Sequence, residues 1–202
     1  MDLSAPSRSL APSVHLQVLA VLARTEHPLS GRAVGRLLAG KASSRGVAYA
    51  LTYLVTQGVV RRDDYPPAAL YRLNREHVVA AAVEALGDLW GVFRERCQAE
   101  IAGWALRPAW AALFGSAARG DGIGGSDVDV ALVVPDDTDV EGEAWADQVG
   151  RLARGIRAWV GNPAAIITFS HSEFAVSREP VVAAIRREGL TLWGQRPAQA
   201  AA

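Results

Sequence analysis

Apolar residues recur at steps of three and four from Val14 onward. Val14, Val18, Val21 and Leu22 share one face of a helix that Ser13 caps and that ends near Arg24. The run Pro28-Leu29-Ser30-Gly31 predicts the start of a second, short helix, with Val34, Leu37 and Leu38 inward and Gly40 at its end. A third helix is expected from Ser43 or Ser44 to Gln57, stopped by Gly58. Val47, Ala50, Leu51 and Leu54 form its apolar stripe, and Arg45, Tyr49, Thr52 and Thr56 project from the other side. Two strand-like runs, residues 59–62 and 70–73, flank the turn cluster Asp63-Asp64-Tyr65-Pro66-Pro67.

The stripe then lengthens. Val79, Val83, Leu86, Trp90, Phe93, Cys97, Ile101 and Trp104 predict one continuous helix over residues 77–104, with Gly87 and Gly91 allowing close backbone approach. After Pro108 the period changes to that of strands: residues 109–114, then residues 127–134 beyond a Gly115-Ser116 turn and a short helix from Ala117. A helix through Trp145, Leu152, Ile156 and Trp159 leads to a strand at residues 164–169. An amphipathic helix and a short strand close the chain over residues 180–194.

Composition adds bounds. Half of the 202 residues are apolar and 21% are charged, the profile of a globular protein large enough for one sizeable or two small domains. The single cysteine, Cys97, excludes an internal disulfide and fits a reducing cytoplasm; with four scattered histidines it makes no zinc cluster. No basic n-region opens the chain and no run approaches the roughly 20 apolar residues of a membrane span. The zero net charge divides unevenly. Residues 1–76 hold ten Lys/Arg against five Asp/Glu, and residues 77–202 hold eleven against sixteen, which suits a polyanion partner for the first part and metal binding in the second.

Three helices followed by a β-hairpin over residues 13–75 resemble a winged helix-turn-helix module. The resemblance implies that the third helix enters the DNA major groove with Arg45, Tyr49 and Thr52 at bases, and that Arg61 or Arg62 of the hairpin meets phosphates. Such modules also serve as protein contacts.

Chemistry concentrates after residue 108. On a strand at residues 127–134, Asp127, Asp129 and Ala131 share one face, and Val128, Val130 and Leu132 the other. Two neighbouring carboxylates without a basic partner on their face repel, and a divalent cation relieves the repulsion. Mg²⁺ takes hard oxygen ligands and is commonly held by one or two carboxylates together with substrate phosphates. The Gly115-Ser116 turn can bring backbone N–H groups and a hydroxyl close to a triphosphate.

The segments Gly115-Ser116-Ala117-Ala118-Arg119-Gly120-Asp121 and Ser126-Asp127-Val128-Asp129-Val130 resemble the signature of the polymerase-β-type nucleotidyltransferase superfamily, in its minimal branch. That resemblance implies nucleotidyl transfer from an NTP with Mg²⁺ or Mn²⁺. Asp127 and Asp129 would bind metal, Gly115 and Ser116 the β/γ-phosphates, with Ser126 in the same nucleotide site and Arg119 steadying the loop or a phosphate. The superfamily also uses a third carboxylate from a later strand, and residues 164–169 contain no acid. Glu173, which can equally start a helix, and His171, as a substitute base, are the nearest candidates.

The expected fold is therefore α/β in the α+β sense: an N-terminal winged helix-turn-helix and a C-terminal nucleotidyltransferase-fold mixed sheet with flanking helices. The boundaries are a flexible residue 1–12 lead-in, the winged helix at 13–75, a linker helix at 77–104, the nucleotidyltransferase domain at 105–196 and a flexible tail at 197–202. The expected partners are an NTP and DNA, with a possible homodimer through the linker helix and no membrane. The alternative is a DNA-binding regulator whose second domain senses nucleotide with weak or no turnover. No Walker pattern, Gly-x-Ser-x-Gly elbow or His-Glu-x-x-His competes.

Overall fold

The computed structural model describes residues 1, 3, 6–38, 42–119 and 126–197. Gly40, Gly120, Asp121 and residues 198–202 of the expected tail lie outside the described residues. The chain divides into two units, residues 5–89 and residues 90–202 together with residues 1–4.

In the first unit, α1 (Val14–Ala23) starts at Ser13, whose hydroxyl accepts the His15 N–H. β1 (Leu29–Ser30), α2 (Gly31–Leu37), α3 (Ser44–Thr56), β2 (Val60–Tyr65), β3 (Ala68–Leu73) and α4 (Ala80–Gly87) follow. The sheet order is β1-β3-β2, antiparallel throughout. The sequence pattern places Leu29 and Ser30 at a helix start. Instead they first pair with Tyr71 and Leu70, and Ser30 then caps α2 by accepting the Ala33 N–H. The α3 stripe is buried as its periodicity requires: Val47, Ala50, Leu51 and Leu54 join Val18, Leu22 and Val34 in one core.

The expected single helix over residues 77–104 is two helices. α4 ends at Gly87 and α5 (Leu89–Ala102) begins after Asp88, which leaves helical geometry at φ −111° and ψ 28°. The reason is packing. A Cβ on Gly87 would lie 2.8 Å from Ala23 Cβ, so glycine permits the α1–α4 approach, and the Gly87 carbonyl, freed at the helix end, accepts from Arg24 Nε at 2.8 Å. One sequence stripe therefore serves two cores. Val83 packs with the first unit, whereas Phe93, Cys97, Ile101 and Trp104 pack within the second. These residues are covered by their own chain.

Leu3 is buried in the core of the second unit, and residues Pro6–Ser9 form a 3-10 turn with Pro6 and Ser7 buried.

The second unit continues with β4 (Trp110–Phe114), α6 (Gly115–Arg119), β5 (Val128–Val134), α7 (Glu143–Val160), β6 (Ala164–Ser170), α8 (His171–Val176), α9 (Pro180–Glu188) and β7 (Leu190–Gly194). Its mixed sheet runs β6-β5-β4-β7, with β5 and β6 parallel across the α7 crossover and the other pairs antiparallel. Alternation along β5 sends Val128, Val130, Leu132 and Val134 to one core with α5 and α7, and Ala131 and Val133 to a second core with Phe174, Val182 and Ile185. The chain thus has the mixed α+β architecture expected, with two sheets.

Burial pushes the Cys97 thiol up to about 12, so it is a protonated core residue and not a nucleophile. Gln148, 4% exposed, accepts the N–H groups of Ala105 and Leu106 at 2.8 and 3.2 Å and donates to the Leu106 carbonyl at 3.1 Å. It closes the connection from α5 to β4 without secondary structure. Gln148→Ala is expected to destabilise the protein by about 1–3 kcal/mol, because the backbone groups it pairs lose their partner; urea unfolding measures it. Among the described residues no helix is long and apolar enough to cross a membrane.

Candidate metal and nucleotide site

The site is assembled where β4 turns into α6. Phe114, the last residue of β4, pairs with Asp129 of β5, so Gly115 follows directly against that carboxylate. Gly115 has φ +68°, and a Cβ there would overlap the Asp129 carboxylate at Oδ2. Only glycine permits both the left-handed backbone and this contact. Helix α6 begins at Gly115 itself, earlier than the Ala117 start expected, and places half-buried Ser116 in its first turn.

Asp127 precedes the first β5 residue and is exposed; Asp129 is half-buried one full pleat further on. Asp129 belongs to the strand face whose deeper positions are Ala131 and Val133, and Asp127 lies just before the strand. Burial raises the Asp129 carboxyl above its ordinary value, the Asp127 charge raises it further, and the Arg119 guanidinium opposes both. The basic partner that the strand itself lacks thus comes from α6. Arg119 also bonds Glu188 Oε1 at 2.7 Å, a carboxylate whose side chain is only 9% exposed and which Arg187 approaches at 3.2 Å.

Two carboxylates beside a glycine turn fit a hard divalent cation that completes its shell with phosphate oxygens. Asp127 and Asp129 are the residues that would hold it. Among the described residues no group of three or more His, Cys, Asp or Glu side chains could hold a metal. The reason lies on β6. Ala165 is the register partner of Asp129, exposed, with Ile167 and Phe169 continuing on that face, so methyl and hydrocarbon occupy the neighbouring positions.

Neither sequence candidate for a replacement reaches the site. The parallel register pairs Asp129 with Ala165 and Val134 with Ser170, so Ser170 already lies five residues beyond Asp129, roughly 17 Å along the sheet, and His171 and Glu173 follow it. Glu173 is engaged elsewhere. With Ser170 it forms a capping box, its carboxylate accepting the Ser170 N–H at 2.8 Å. Asp136, at that same end, is held below its ordinary value by the Ser172 N–H.

The raised Asp129 value carries a sign. In the unfolded chain the carboxyl titrates lower, so the folded protein binds this proton more tightly. The stabilising contribution is full below the unfolded value and lost as pH rises through the folded one. Ionised Asp129 is therefore a net cost at neutral pH without metal. Asp129→Asn is expected to raise the Tm of the metal-free protein at about pH 7, with the gain vanishing near about pH 4. Thermal melts at both values check it.

In the first unit, Arg45, Tyr49 and Thr52 all lie exposed on α3, and Tyr49 is 69% exposed. Tyr49 and Tyr53 meet His15 edge-on at 5.9 and 5.1 Å between ring centroids. Thr52 Oγ1 donates to the Ala48 carbonyl within the helix at 3.0 Å. The hairpin arginines are engaged: Arg61 pairs with Glu76, Arg62 with Asp64 at 2.7 Å, and Arg72 with Asp63 at 3.3 Å. By contrast, residues 27–62 contain no acid, and exposed Arg32, Arg36 and Arg45 make no ion pair among the described residues.

Residues 97–179, less than half of the chain, match the family model described as "Nucleotidyltransferase domain". This span contains Gly115, Ser116, Asp127, Asp129 and the Ala165 strand, and it is nucleotidyltransferase-like. No curated protein matches. A solved structure described as "Crystal structure of the toxin-antitoxin with AMP-PNP" is similar at 17% identity, over 51% of this chain and 74% of that one, with a TM-score of 0.36.

Proposed function

We propose that the second unit binds a nucleoside triphosphate with Mg²⁺ or Mn²⁺ and transfers its nucleoside monophosphate to a hydroxyl of nucleic acid or protein, and that the first unit binds DNA. The observation that supports the first part is the closeness of Gly115 to the Asp129 carboxylate, which is what a glycine turn for phosphates beside a metal-binding acid requires. Gly115 and Ser116 present backbone N–H groups and a hydroxyl to the β/γ-phosphates, Ser126, the residue before Asp127, adds to the same nucleotide site, and Arg119 offers its guanidinium to a phosphate. Mg²⁺, when bound by Asp127 and Asp129, would neutralise charge on the triphosphate. The acceptor oxygen forms a bond to the α-phosphorus in line with the breaking bond, pyrophosphate departs with that electron pair, and the acceptor proton passes to solvent.

A second reading has its own support. Ala165 stands beside Asp129 where a third carboxylate would complete the site, which favours a DNA-binding regulator that senses nucleotide with little or no transfer. Labelled NTPs with Mg²⁺ or Mn²⁺ and DNA, RNA or protein acceptors decide between them. Incorporation that disappears in the Asp127→Ala/Asp129→Ala variant supports the enzyme. Mg²⁺-dependent NTP binding without incorporation supports the sensor. In that case Ala165→Asp, which adds the missing carboxylate to the exposed register position, is expected to create or raise transfer by at least about tenfold.

The DNA reading rests on a winged helix-turn-helix assignment for residues 13–75. Support comes from the exposed α3 face and from the acid-free stretch that carries Arg32, Arg36 and Arg45. Arg61 and Arg62 would have to exchange Glu76 and Asp64 for phosphates on binding. Arg45→Ala combined with Arg61→Ala is expected to weaken DNA binding and to lower the slope of log K against log salt by about 2, measured by fluorescence anisotropy. An unchanged slope would remove both residues from the interface.

A further inference from the structure

Asp127 stands outside the β5 ladder, so the sheet does not by itself fix its backbone. Two hydrogen bonds do, one on each side of it. The Val128 N–H donates to the Pro163 carbonyl at 2.8 Å. On the other side, Asn162 Nδ2 donates to the Ser126 carbonyl at 2.8 Å. Asn162 is 3% exposed and sits in the turn after α7, which ends at Gly161 in left-handed geometry.

The orientation of this amide is set by its partners. Its Oδ1 accepts from the Met1 amine, which also donates to the Val160 carbonyl at 2.8 Å, so the NH₂ group faces Ser126. A turn asparagine ordinarily bonds its own turn. This one reaches a carbonyl 36 residues earlier in the chain. Burying an amide is costly unless both ends are paired, and here both are, with one end spent on the residue before a metal acid.

We propose that Asn162 is a positioning residue for Asp127, holding the Ser126–Asp127 backbone so that the carboxylate meets the cation in register with Asp129. The assignment rests on the reading of Asp127 and Asp129 as metal ligands. Groups that orient a ligand from behind typically change metal affinity by about 10–100-fold when removed. Asn162→Leu keeps the branching at Cγ and the number of side-chain heavy atoms and deletes the donor.

The test is a Mn²⁺ titration of the full chain followed by electron paramagnetic resonance, with urea unfolding alongside. The Mn²⁺ dissociation constant is expected to rise by about tenfold or more in Asn162→Leu. Asn162→Ser, which keeps a polar group in the buried turn but cannot span to Ser126, is expected to do the same and serves if the leucine variant fails to fold. Gln148→Ala supplies the control: it loses stability through a buried amide away from the acids and should keep wild-type Mn²⁺ affinity. Wild-type affinity in a folded Asn162 variant, or equal losses in Gln148→Ala, overturns the positioning role while leaving the metal site intact. Wild-type protein that binds no more Mn²⁺ than Asp127→Ala/Asp129→Ala overturns the metal reading and the positioning role with it.

Discussion

Replacing Asp127 and Asp129 together by alanine is expected to weaken Mg²⁺-dependent nucleotide binding by at least about 100-fold, and to remove any transfer with it. The magnitude follows from what the pair supplies. Ionic coordination of a cation that bridges to phosphates contributes several kcal/mol, and each 1.4 kcal/mol is about a factor of ten in affinity. Among the described residues the sequence candidates do not compensate: Ala165 is the β6 partner, and Glu173 and His171 lie at the other end of the sheet. EDTA should reproduce the loss in the wild-type protein and have no further effect on the variant. The metal-free variant should meanwhile be no less stable than wild type, since the removed charges repelled each other. Loss of binding with an unchanged or raised Tm separates a site defect from misfolding.

Gly115→Ala is the second large effect. At φ +68° an alanine costs about 1–2 kcal/mol of backbone strain, and its methyl group would occupy space held by the Asp129 carboxylate. The side chain that must yield is a proposed metal ligand, and the backbone that must shift is the proposed phosphate cradle. The variant is therefore expected to lose stability by about 1–3 kcal/mol and to lose nucleotide affinity far beyond that, by about 100-fold. Urea unfolding and calorimetry with Mg²⁺–NTP measure the two separately. Alanine at Ser116 keeps the backbone and should cost much less. A Gly115→Ala protein with wild-type nucleotide affinity would show that the turn does not carry the phosphates.

Much of this site is legible in the sequence because its logic is local. The two-residue period alone predicts one face for Asp127 and Asp129, and β5, which starts at Val128, keeps the alternation from there onward. The α3 stripe of Val47, Ala50, Leu51 and Leu54 is likewise buried where the helical period places it. The absence of an acid on residues 164–169 is readable too, though only the parallel register identifies Ala165 as the specific gap.

What escapes a sequence reading is set by contacts distant along the chain. A periodic stripe cannot report that it is shared between two cores, so the break at Asp88 is hidden in a regular pattern. Leu29 and Ser30 pair with residues some forty positions later, a register that local turn chemistry does not encode. Arg61 looks like a free cation until Glu76 is beside it, and Arg119 until Glu188 is. Asn162 gives no signal, because a Gly-Asn-Pro run reads as an ordinary turn. Its meaning depends on the Ser126 carbonyl across the sheet.

Gly115, Asp127 and Asp129 are proposed to form one metal-linked nucleotide site. Isothermal titration calorimetry of the full chain with each of the common NTPs, in Mg²⁺ and in EDTA, tests it most directly. At least one NTP is expected to bind in a way that requires Mg²⁺ and disappears in Asp127→Ala/Asp129→Ala. Binding indifferent to both the metal and the two substitutions, or no binding of any NTP with Mg²⁺ present, would contradict it.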